Sequence, residues 1–156
     1  MCLIVDANLA ATVFASPPHP DFEPVLDWLD KQDGRIVFGG RLATELERLE
    51  KPRRYLRTLL QAGRAWRLSD ESVDEEEAVV ADTGLCRSND SHVIALARVS
   101  GARTLCTNDR DLQTDFKNPQ LVSNPRGSIY KYNRPSHVKL LRHTSSCRRP
   151  QRGRPR

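Results

Sequence analysis

Cys2-Leu3-Ile4-Val5-Asp6 sets four apolar residues in a row, two of them β-branched, and ends the run on a carboxylate. An unbroken apolar run of this length fits a short strand buried on both faces, as in a parallel sheet covered by helices. Asp6 then stands at the carboxyl end of that strand. Two more runs read alike: Arg35-Ile36-Val37-Phe38, and Arg103 to Thr107, after which Asp109 and Asp111 follow two residues apart. Between these strands the apolar spacing becomes helical. Ala7 to Ala15 leads into Ser16-Pro17-Pro18-His19-Pro20, which breaks it; Asp21 to Gln32 carries Phe22, Val25, Leu26 and Leu29 on one face. After Gly39-Gly40, a helix starting near Arg41 presents Leu42, Leu46 and Leu49 and is expected to continue through Tyr55 to Leu60.

On that helix Glu45 and Glu50 flank the apolar stripe and Glu47 points to water. Arg64 to Leu68 predicts a short strand, and Asp70 to Asp82 an acidic helix whose Glu75, Glu76 and Glu77 face solvent. Ser88-Asn89-Asp90 offers N-caps for a helix through Val93, Ile94, Leu96 and Ala97, ended by Gly101, with Asp90 in the first turn. Leu121-Val122 suggests one more strand. Strands alternating with helices predict an α/β fold with a parallel sheet, because parallel neighbours need a crossover.

Charge divides the chain. Up to Asp115 there are 14 Lys or Arg against 20 acids, a net of −6; from Phe116 onward there are 11 against none, a net of +11. A block this basic suits a polyanion such as nucleic acid, or serves solubility. The predicted organisation is one domain over residues 1–124 and a basic extension over 125–156, its end from Gln151 expected to be disordered. No run of about 18 apolar residues and no leader-like opening are present, so no membrane association is expected. Cys2, Cys86, Cys106 and Cys147 form no C-x-x-C pair and are expected to be free thiols of a cytoplasmic protein.

Ligands of open parallel sheets bind beyond the carboxyl ends of the strands, where Asp6 and Asp109 both stand; Asp111 follows at once in the loop, and Asp90, at the start of the helix that precedes the Asp109 strand, is expected near the same edge. Carboxylates gathered together repel unless a cation lies among them. Oxygen donors without an evident His or Cys ligand favour Mg²⁺ or Mn²⁺ over zinc. Such an ion supports phosphodiester hydrolysis, activating water and stabilising charge on phosphorus.

Cys2-Leu3-Ile4-Val5-Asp6-Ala7-Asn8, Ala43-Thr44-Glu45-Leu46, Asn89-Asp90-Ser91-His92-Val93-Ile94-Ala95-Leu96-Ala97 and Leu105-Cys106-Thr107-Asn108-Asp109-Arg110-Asp111-Leu112 resemble, in order and spacing, the four motifs of PIN-domain nucleases. The resemblance spans roughly residues 1–122. It implies a PIN-like three-layer α/β/α fold and a Mg²⁺- or Mn²⁺-dependent endoribonuclease, most often a VapC-like toxin restrained by a cognate antitoxin and acting as a homodimer. Asp6, Glu45, Asp90 and Asp109 would be the metal-binding catalytic acids, with Asp111 auxiliary and Asn8 and Thr107 in support. Leu112 stands where the family often has Phe, and the tail after Asn124 exceeds the compact toxin pattern.

Arg126, Lys131, Arg134, Lys139 and Arg142 are the candidate RNA contacts of the extension. Tyr130 and Tyr132 among them suit either base stacking or pinning the tail to the body. His137, His143 and Cys147 have metal-like spacing but lack a fourth ligand, so RNA contact or tail packing is preferred to zinc. His92 reads as structural or substrate-facing, and Cys106 as buried rather than nucleophilic. The alternative to an enzyme is an RNA- or partner-binding module with a catalytically inactive metal site.

Overall fold

The computed structural model describes residues 2–142 and residue 147. Among these, β1 (Cys2–Val5) is buried along its whole length and occupies the middle of a five-stranded parallel sheet. β2 (Arg35–Phe38) and then β3 (Ala65–Arg67) lie to one side; β4 (Thr104–Cys106) and then β5 (Ser128–Ile129) lie to the other, giving the order β3-β2-β1-β4-β5. Register pairs Leu3 with Ile36 on one flank of β1 and Val5 with Cys106 on the other. The apolar runs that lack alternation are thus strands covered on both faces.

Helices make every crossover. α1 (Ala7–Val13) and α2 (Glu23–Lys31) join β1 to β2, α3 (Gly40–Glu47) and α4 (Glu50–Gln61) join β2 to β3, and α5 (Asp70–Asp82) and α6 (Ser91–Ser100) join β3 to β4. α7 (Arg110–Lys117) leads toward β5. α6 is buried on nearly every side, with Val93 to Ala97 fully enclosed, and Gly101 ends it in the left-handed conformation at φ 83°. From β1 the chain first builds outward through β2 and β3, then returns to build through β4 and β5. The order therefore reverses between β1 and β4, and the crevice beyond their carboxyl ends is where a doubly wound sheet receives its ligand.

Three expectations need correction. The helix expected from Arg41 to Leu60 is two helices, because Leu49 is extended (φ −98°, ψ 114°) and starts α4. Pro52 explains the break: in a continuous helix it would lack its amide bond and its ring would strike the carbonyl of Arg48. Glu50 accordingly belongs to α4, paired with Arg54 at 2.7 Å. Leu121 and Val122 are buried but lie in turns, and the fifth strand comes later, at Ser128–Ile129. Cys2 and Cys147 are not free thiols: their sulfurs are bonded to each other across 145 residues of sequence, leaving Cys86 and Cys106 free.

After β5 the chain leaves the acid edge and crosses α2. The Tyr130 hydroxyl donates to the Asp21 carbonyl at 2.7 Å, α8 (Pro135–Val138) and the 3₁₀ turn Lys139–Leu141 follow, and Val138, Leu141 and Arg142 share a cleft with Trp28 and Gln32. Its described end, Cys147, is bonded at the amino end of β1. His143 and the stretch from Gln151 to Arg156 lie outside the described residues. No helix among the described residues is long and apolar enough to cross a membrane.

Candidate active site at the carboxyl edge of the sheet

Asp6 follows β1 directly, and its amide donates to the Cys106 carbonyl at 2.9 Å, so the ladder itself fixes where its side chain begins. Asp6 as a whole is 2% exposed. Thr107, just past β4, donates its hydroxyl to Asp6 Oδ2 at 2.8 Å and accepts the Asp109 amide at 3.2 Å. One threonine therefore ties together the two acids at the reversal of strand order. Gln113 Nε2 holds the Thr107 carbonyl at 2.8 Å from the first turns of α7.

Asp109 is the N-cap of α7, its Oδ1 accepting the amides of Asp111 and Leu112 at 2.9 and 3.1 Å. Asp111 is in the first turn of that helix and exposed. Asp90 is the N-cap of α6 rather than a first-turn residue, with φ −110° and no bond from its own side chain to the helix. Asn8 is exposed at the start of α1, and it is its backbone amide that faces the Asp6 carboxylate. Glu45 reaches the edge from α3, partly exposed, while Glu47 on the same helix turns away to Arg67 at 2.6 Å.

Electrostatics join the four acids. Burial pushes the Asp6 carboxyl above the ordinary aspartate value and the Glu45 charge adds to this, against the lowering influence of the Thr107 hydroxyl and the Asn8 amide. Asp90 is raised too, first by burial, then by Asp6, Asp109 and Glu45. Asp90 thus feels all three other acids. Such mutual repulsion is what a divalent cation relieves, and an all-carboxylate donor set suits Mg²⁺ or Mn²⁺. Among the described residues no group of three or more His, Cys, Asp and Glu side chains is arranged to hold a metal ion; Mg²⁺ ordinarily uses one or two carboxylates and keeps several waters.

The five candidate RNA contacts of the extension occupy exposed ground. Arg126 donates Nε to the Lys117 carbonyl at 2.7 Å, Arg134 lies over the Tyr132 ring at 5.3 Å, and Lys131, Lys139 and Arg142 face solvent. Of the two tyrosines, Tyr130 is fully buried and pins the tail to the body, whereas Tyr132 is 38% exposed and stacks on His137. His137 Nδ1 accepts the Lys131 amide and Cys147 is bonded to Cys2, so both have structural partners rather than a shared metal. Cys106 is fully enclosed and its thiol is pushed far up by burial, which leaves it inert.

Two residues escaped the sequence reading. Asp115 is 1% exposed on α7 and accepts four hydrogen bonds from Arg87 and Ser88, holding the loop that delivers Asp90. The signal was an acid between Leu112 and Phe116 on one helix face, where a core residue was due. Arg41 was read only as a helix start, yet it contacts both His92 and Glu77.

A family model for the PIN domain matches residues 3–117. Among solved structures, the crystal structure of VapBC2 from Rickettsia felis bound to a DNA fragment from their promoter is similar at 18% identity and a TM-score of 0.43, over 85% of this chain and 100% of that one. No curated protein matches the chain.

Proposed function

This chain belongs to the PIN-domain family, and on that premise we propose that it is a divalent-metal-dependent endoribonuclease. The observation that carries the reading is the electrostatic union of Asp6, Glu45, Asp90 and Asp109 at the one place where the strand order reverses. These four acids are the residues that would hold Mg²⁺ or Mn²⁺, which supplies an activated water and charge neutralisation at a phosphate. The chain's own contribution is preorganisation. Thr107 fixes Oδ2 of Asp6, and it positions the start of α7 through the Asp109 amide. Asp111 adds a carboxylate at the rim, and the exposed cations of the extension supply affinity for the RNA backbone. The VapC-like motifs support a toxin restrained by an antitoxin, and a homodimer, as the biological setting.

The test is cleavage of labelled single-stranded RNA by wild type and Asp90→Asn with Mn²⁺, with Mg²⁺ and with EDTA. Metal-dependent cutting that falls by about 10²-fold or more in the variant is expected. Binding without cutting in any metal would replace the enzyme with an RNA- or partner-binding module.

A further inference from the structure

His92 is 2% exposed in the first turn of α6, and both of its ring nitrogens are engaged. Arg41 Nη2 lies 3.1 Å from Nδ1, and Glu45 Oε1 lies 2.6 Å from Nε2. A guanidinium has donors and no acceptor, so Nδ1 must present its lone pair. The ring proton is then on Nε2 and is donated to Glu45. Arg41 is itself held, its Nη2 pairing with Glu77 Oε1 at 2.6 Å, and Ser91 Oγ donates to the same oxygen at 3.4 Å. The line Glu77, Arg41, His92, Glu45 alternates acceptor and donor at every step and crosses three helices, α5, α3 and α6.

Glu45 needs such a support. Its side chain is 42% exposed, and among the described residues no other side chain bonds its carboxylate. A glutamate free on a helix surface loses rotamer freedom when an ion captures it, and a partner that holds it beforehand removes that cost. Histidines that support metal sites are commonly ligands oriented by a carboxylate. Here the order is inverted: the carboxylate faces the site and the imidazole orients it.

We propose that His92 is a positioning residue, locked as the Nε2–H tautomer by Arg41, that presents Glu45 to the metal. The proposal rests on the metal reading given above. Loss of the Nε2 donor should weaken metal binding by roughly 10–100-fold, as removal of such supporting partners does elsewhere.

Two substitutions separate positioning from packing. The amide nitrogen of His92→Gln can stand near the place of Nε2, whereas that of His92→Asn can stand only near Nδ1. Both remove the ring. Mn²⁺ binding to the full chain, followed by the EPR signal of free Mn²⁺, should stay within a few-fold of wild type in His92→Gln and fall 10–100-fold in His92→Asn. In a Glu45→Ala background the two should bind alike. Equal losses in both variants, or a difference that persists without Glu45, would overturn the proposal.

The ¹⁵N spectrum of the imidazole gives a readout independent of metal. Support is a ring protonated at Nε2 alone, whose Nε2 resonance moves in Glu45→Gln; a proton on Nδ1 sinks the assignment. If wild type takes up no Mn²⁺, the metal reading fails, and the spectrum alone decides whether His92 orients Glu45.

Discussion

Asp6 is a carboxyl buried between a strand end and a helix start, and burial with the Glu45 charge lifts it above the ordinary value of 3.8. A raised value in the folded state means that the native protein binds this proton more tightly than the unfolded chain does. Stability from the group is complete below about 3.8 and is lost as pH rises through the folded value. Asp6→Asn keeps an acceptor for Thr107 and removes the charge. In EDTA at neutral pH the variant should therefore melt above wild type, and the gap should close as the pH approaches 3.8. Mn²⁺ should reverse the ranking by stabilising wild type alone. Melting curves at several pH values check this, and a variant that melts lower in EDTA would show that the charge-assisted bonds from Thr107 and the Asn8 amide outweigh the repulsion.

At the scale of elements, the acid edge depends on side chains that never reach it. Asp115 on α7 holds the Arg87 and Ser88 amides, and Ser88 Oγ in turn accepts the Asp90 amide at 3.2 Å. Asp115→Ala leaves two backbone donors without their charged acceptor and should cost roughly 3 kcal/mol in urea unfolding; Asp115→Asn should recover part of that loss. Packing between α7 and β5 is equally exacting: a Cβ at Gly127 would come 2.1 Å from the Phe116 carbonyl oxygen, which is backbone and cannot rotate away. Gly127→Ala should thus lower stability by about 2 kcal/mol or more, read from the same titration. These contacts mark where the sequence is legible. β1, β2 and β4 could be read because strands buried on both faces are written as continuous apolar runs, and Asp6 and Asp109 followed as their carboxyl ends. β5, two residues long beside Gly127, leaves no periodicity to detect. The support of Asp90 by Asp115 joins residues 25 positions apart in sequence, and the bridge from Arg41 through His92 to Glu45 joins separate helices; local spacing encodes neither.

The whole molecule keeps its two charge blocks in one structure, an acidic body and a basic extension that runs through β5 to the acid edge and then descends across α2. The descent ends in the Cys2–Cys147 bond at the opposite edge of the sheet. The bond was illegible for a plain reason: four cysteines allow three complete pairings, and spacing alone chooses none. Closing a loop of 145 residues restricts the unfolded chain severely, by about 5 kcal/mol on chain-entropy grounds and typically 2–4 kcal/mol in practice. Cys147→Ser, or a reductant acting on wild type, should then lower the melting temperature by roughly 10 °C, and the reductant should do nothing more to the variant. Thiol titration of the unreduced, denatured chain should find Cys86 and Cys106 and no others; four reactive thiols would rule the bridge out. Because the bond sits at the amino end of β1 while Asp6 sits at its carboxyl end, opening it should leave Mn²⁺ affinity at the acid edge unchanged well below the melting transition. A parallel loss of Mn²⁺ binding on reduction would instead mean that the extension's anchorage at one edge of the sheet governs the geometry of the other.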